Sequence, residues 1–244
     1  MPSHLFDDHF APITSEIGLI DAPPVIAANA FLEWQRPLQL ARNVRLTAHE
    51  IEGTFSSKIE ALLPLTSVEA RRFLFLPTSS KWTAYFDNGW QGSDVFGVVS
   101  HLAALVGTRG VRAVNIPDTI RKTPDGERGR FGATMLEMYS ADTTDCAFLN
   151  VRRSVGVVND GGRWRFDASG TPLECEQLER YSARRIRERF TPLMLDECLR
   201  HLGVHNLTSE FFNVTAPGYL VSKEGVTAVG LREYSLQDVR DALW

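Results

Sequence analysis

The chain has 244 residues, 43% of them apolar and 23% charged, with 14 Phe and 5 Trp, and a net charge of −4. That length and apolar content suffice for a folded core without disulfide or metal staples, and the aromatic content excludes a disordered chain. The acidic balance disfavours non-specific nucleic-acid binding, which rests on phosphate neutralisation. No apolar run approaches the 18 residues that a membrane span requires.

Residues 1–24 read as an irregular segment, without the basic start and apolar core of a signal peptide. A short helix is predicted from Val25 to Trp34, stopped by Pro37. Val44 to Ile51 alternates like a strand, and Ser57 to Leu63 fits either strand or helix, so strand order over residues 38–70 stays open. Phe73–Leu76 and Trp82–Phe86 flank a Pro77–Lys81 turn and read as an antiparallel pair. A polar loop, Asp87-Asn-Gly-Trp-Gln-Gly-Ser-Asp94, follows. Helical periodicity then runs from Val95 to Val106, with Gly107 as a C-cap. Val111 to Ile116 is a short apolar run, and Thr119 to Arg130 reads as an exposed loop. Phe131–Tyr139 and Ala147–Val151 read as strands. Ser154–Val158 and Trp164–Phe166 flank Asn159-Asp-Gly-Gly162, whose residues supply the positive φ that tight hairpins need.

The C-terminal third turns helical in this reading. Leu178, Tyr181, Ile186 and Phe190 approximate one helix face. Thr191-Pro192 suits an N-cap and first helical position, with Leu195, Cys198, Leu199 and Leu202 on the buried face. Val214 to Val221 is a candidate strand, and Ser235 caps a last helix over Leu236 to Leu243. The expected fold class is α+β. It is a single domain with a central, mostly antiparallel sheet and helices that include a helical C-terminal third.

Motifs for dinucleotides, nucleotide phosphates, zinc proteolysis or a serine nucleophile are absent, so no catalytic residues, metal site or cofactor are assigned. Ser100 and His101 are helix neighbours pointing about 100° apart, which does not make a nucleophile–base pair. Cys198, His201 and His205 lack a fourth zinc ligand, and His4, Asp7, Asp8 and His9 lie in a tail. Cys146, Cys175 and Cys198 form no CxxC pair, which suits a reducing, cytoplasmic setting. Asn206 and Asn213 open chance glycosylation sequons. Arg184, Arg185, Arg187 and Arg189, interleaved with Glu188, read as a solvated helix. Arg152, Arg153, Arg163 and Arg165 read as an exposed strand face that blunts edge pairing.

The strongest polar constellation is Asp87, Asn88, Trp90 and Asp94. Its carboxylates could serve as acid and base, its Asp and Asn could cap turn amides, or Trp90 could anchor a partner. The Trp82-Thr-Ala-Tyr-Phe-Asp-Asn-Gly89 stretch, with Gly92 and Asp94, and the Trp164-to-Arg189 stretch resemble bacterial immunity proteins of polymorphic or contact-delivered toxins. That resemblance implies a cytoplasmic protein that binds and blocks one cognate partner, and an acidic chain suits a basic toxin. The competing expectations are a small hydrolase using carboxylates near Asp87 and Asp94, or Glu137, and an effector chaperone or adaptor.

Overall fold

A computed structural model describes residue 6 and residues 8–124, 126–142, 150–205, 207–212 and 215–243. Cys146, His4, Asp7, Asn206, Asn213 and the predicted strand residues 147–149 lie outside the described residues.

The strands are β1 (Glu16–Ile20), β2 (Val44–Ile51), β3 (Leu65–Thr66), β4 (Arg72–Pro77), β5 (Thr83–Asp87), β6 (Gly110–Ile116), β7 (Arg121–Thr123), β8 (Gly126–Arg128), β9 (Ala133–Tyr139), β10 (Val151–Asp160), β11 (Arg163–Gly170), β12 (Gly218–Gly225) and β13 (Glu233–Tyr234). The α-helices are α1 (Pro24–Leu40), α2 (Phe55–Glu60), α3 (Phe96–Val106), α4 (Pro192–His201), α5 (Ser209–Phe212) and α6 (Leu236–Leu243). Nine strands form one antiparallel sheet in the order β11-β10-β9-β6-β1-β5-β4-β12-β2.

Both faces of the sheet are covered. Ile20, Phe73, Phe75, Tyr85 and Val221 meet Ala27, Ala28, Phe31 and Leu32 of α1 and Val99, Leu102 and Ala103 of α3. The spacing of these helical residues is one apolar stripe per helix. The opposite face, carrying Leu19, Leu74, Leu76, Phe86, Leu136 and Val155, meets Phe55, Leu195, Leu199, Phe212 and Val239. α3 contains no charged residue, and it lies close to the sheet because Gly18 of β1 and Gly110 of β6 carry no Cβ beneath it. A Cβ at Gly18 would fall 2.5 Å from Val99 Cγ2, and one at Gly110 would fall 2.6 Å from Val99 Cγ1.

The expected architecture with a helical C-terminal third is overturned, because the fold is dominated by one nine-stranded sheet and its helices are short and scattered. Leu178–Phe190 is not a helix but two 3-10 turns, Leu178–Ser182 and Ile186–Glu188. Tertiary contacts outweigh its helical periodicity. Tyr181 packs on Phe166, Arg187 lies 5.4 Å from the Trp164 ring and Arg189 lies 5.8 Å from the Phe166 ring. These contacts lay the segment flat along β11. β12 then returns to the interior of the sheet, between β4 and β2.

Residues 1–24 are not irregular throughout. β1 is the middle strand of the sheet, paired with both β5 and β6, and four of its five residues are buried. Its sequence, Glu-Ile-Gly-Leu-Ile, is too short to reveal a period. α1 runs on through Pro37 to Leu40, since a proline in the last turn removes only one hydrogen bond. Arg121–Thr123 and Gly126–Arg128 form a small hairpin inside the predicted loop. The 73–76 and 82–86 pair, the 154–166 hairpin with positive φ at Gly161 and Gly162, and the Gly107 left-handed cap match the sequence expectations. No helix among the described residues is long and apolar enough to cross a membrane.

Candidate functional site

The Asp87–Asp94 loop closes on itself. Asp87 is 2% exposed and ends β5. Its Oδ1 accepts the Gly89 N–H at 2.9 Å, and its Oδ2 accepts the Asp94 N–H at 3.0 Å and the Tyr85 hydroxyl at 3.2 Å. Burial pushes the Asp87 carboxyl up to about 7 despite the two backbone donors, and the nearby Asp94 charge adds to the rise. Asn88, 1% exposed, accepts the Arg71 and Arg72 N–H groups at 2.7 and 3.0 Å and donates to the Pro64 carbonyl at 2.7 Å. Trp90 is half-buried and stacks on Tyr234, with ring centroids 5.5 Å apart. Asp94 is the exposed member of the four. The loop therefore brings the four predicted residues together as neighbours, but it points Asp87 and Asn88 inward to cap backbone amides. A groove of about 350 Å³ touches Asn88 and is lined by neither Asp87 nor Asp94.

Glu137 belongs to a second buried network on the α3 side of the sheet. Arg112 of β6 donates to Glu16 of β1 at 2.7 and 3.2 Å and to Glu137 of β9 at 2.9 Å. The Tyr139 hydroxyl donates to Glu137 at 2.8 Å. Burial raises the Glu16 carboxyl, and the Arg112 guanidinium only partly offsets this. Burial also raises the Tyr139 phenol, and the Glu137 charge adds to it. The network satisfies its own donors and acceptors, as buried charges require.

Arg153, assigned by sequence to an exposed strand face, is 3% exposed. Its Nε donates to Glu176 Oε1 at 2.9 Å, its Nη2 pairs with Glu176 Oε2, and its Nη1 donates to the Ser169 and Gly170 carbonyls. Cys198 faces away from a metal role: its buried sulfur lies 2.7 Å from that of Cys175, and both are free thiols. Burial raises both thiols. Among the described residues no group of three or more His, Cys, Asp or Glu is arranged to hold a metal ion.

The accessible chemistry lies on the opposite half of the sheet. Asn115, Thr134, Val157 and Phe166 occupy one cross-strand row on β6, β9, β10 and β11, and Trp164 stands in the next row beside Asn159. A groove of about 410 Å³ opens over Asn115, Thr134, Val157 and Trp164. Its walls include Pro117, Asp118, Arg187, Phe190 and Pro192. Asn115 is 5% exposed; its Oδ1 accepts the Thr134 hydroxyl at 3.0 Å, and its Nδ2 has no partner among the described residues. Asp118 accepts Asn159 Nδ2 at 3.2 Å and the Gly132 N–H at 3.3 Å. Arg187 lies over Trp164 and makes no ion pair among the described residues. An aromatic floor, a free amide donor and an unpaired guanidinium can hold an apolar side chain beside an oxygen acceptor.

Sequence reasoning missed this groove. The available signal was polar Asn115 and Thr134 at inward positions of otherwise apolar strands. Only sheet order makes them neighbours. Comparison with protein-family models, curated proteins and solved structures yields no match.

Proposed function

We propose that this chain is a protein-binding module, of the immunity type its sequence resembles, that engages one cognate protein partner. The observation that supports this reading is the open groove over Trp164, with Arg187 exposed and without an ion-pair partner among the described residues. Trp and Arg are the residues that most often anchor interfaces. A hydrolase reading has one attraction, since the Asp87 carboxyl titrates near neutrality as a general acid or base would. That carboxylate, however, already accepts two backbone N–H groups and a phenol and is shielded from solvent. Asp94 keeps its exposure and stands as a second contact point for a partner.

The test uses the tagged chain as bait in host lysate, alongside Trp164→Ala, Arg187→Glu and Asp94→Ala, with mass spectrometry of the captured proteins. The expected result is one stoichiometric partner, with recovery falling by about tenfold or more for Trp164→Ala and Arg187→Glu, the scale of one hot-spot residue. No partner above background overturns the binding reading. Equal recovery by wild type and all three variants removes both surfaces from it.

A further inference from the structure

We infer that the free edge of β11 and the adjoining Trp164 groove receive an extended, acidic segment of the partner as an added strand; this rests on the binding reading above. β11 ends the sheet and pairs on one side only, with β10, from Arg153↔Gly170 to Asp160↔Arg163. In an antiparallel pair half of an edge strand's N–H and C=O groups point away from its neighbour. No backbone group of residues 163–170 bonds to another backbone group on that side among the described residues. Such an edge is a template for a further strand.

Charge selects the occupant. Residues 150–190 contain nine arginines and six carboxylates in a chain whose net charge is −4. Arg163, Arg184 and Arg187 are exposed and carry no carboxylate partner among the described residues. The other sheet edge differs. On β2, Arg45 pairs with Glu224 at 2.9 Å and Glu50 accepts the Tyr219 hydroxyl at 2.8 Å, so its charges are engaged by β12.

Strand alternation then sets the pattern of the incoming segment. Trp164 faces the groove, while Arg163 and Arg165 face the other side of the sheet. A segment alternating apolar and acidic residues places apolar side chains beside Trp164 and Phe166 and a carboxylate opposite Arg163, whose neighbour Arg165 already pairs with Asp160 at 3.0 Å. Of the charged groups lining the groove, Arg187 attracts a carboxylate and Asp118 repels one.

The probe is a displayed library of random, linear nine-residue peptides, selected on the wild-type chain and on Arg187→Glu and Trp164→Ala. Circular dichroism establishes that each variant is folded, and Arg187→Glu alone decides should Trp164→Ala fail to fold. Expected are acidic, apolar-alternating peptides whose affinity falls at least tenfold on Arg187→Glu and weakens as salt screens the pairing. Hydrogen exchange of the β11 amides should slow when a selected peptide binds. Enriched peptides that are basic, or that bind Arg187→Glu as well as wild type, overturn this surface and leave the binding function standing. Unchanged β11 exchange overturns strand addition. Failure to enrich any peptide counts against both readings.

Discussion

Asp87 is a carboxylate that the fold makes harder to ionise. Its carboxyl is raised from 3.8 to about 7, chiefly by burial. A raised acid stabilises the fold below its unfolded pKa, and that contribution is lost as pH rises through the folded value. Stability from Asp87 is therefore full below about pH 4 and declines through about pH 7. At about 1.4 kcal/mol per pKa unit the loss is about 4 kcal/mol. The Asp87→Asn variant removes this titration, so its melting temperature should vary less between pH 4 and pH 7 than that of the wild type. Parallel melting profiles for the two proteins would show that Asp87 is not the titrating group. The residue types of the loop were legible in sequence as turn-capping chemistry. Their burial was not, because it depends on Ile13, Pro64, Arg71 and Arg72 converging on the loop from other parts of the chain.

At the scale of elements, close approach of α3 to the sheet depends on missing side chains. Gly18→Val should place its Cβ against Val99 Cγ2 and the Tyr85 side chain and destabilise the protein by about 1–3 kcal/mol, the usual cost of overpacking. Adding Val99→Ala should recover part of that loss in a denaturant titration. Strictly additive losses would mean that the two positions do not share the strain. α3 itself was readable because its apolar run and its glycine cap are local. The 178–190 segment was misread because its irregularly spaced aromatics and arginines match a helix about as well as they match two tight turns. The choice falls to Trp164 and Phe166 on β11, whose rings hold Arg187 and Arg189. Cation–ring contacts of this kind are worth about 0.5–1 kcal/mol each at exposed sites, which is comparable with the propensity they oppose.

For the whole molecule, one sheet runs from β11 to β2 with apolar clusters on both faces, and β1 and β12 join segments distant in sequence. A continuous core of this kind should unfold as a unit, with far-ultraviolet dichroism and tryptophan fluorescence changing together in denaturant. Two separated transitions would divide the chain into independent units instead. The same sheet separates the charges. The arginine-rich residues 150–190 lie on β10, β11 and the turns that follow, at one edge, which is why an acidic chain still presents a basic face.

The sequence by itself determined the local features of this protein: the 73–87 strand pair, the 154–166 hairpin, the cap at Gly107 and the Thr191–Pro192 helix start. Each follows from neighbouring residues that restrict φ or satisfy a terminal amide. Tertiary structure alone decided that β1 lies mid-sheet, that Arg153 is buried on Glu176, and that Asn115, Thr134, Trp164 and Arg187 share a groove. Those outcomes depend on strand order. Strand order is set by which distant apolar faces bury each other, and no local pattern encodes it.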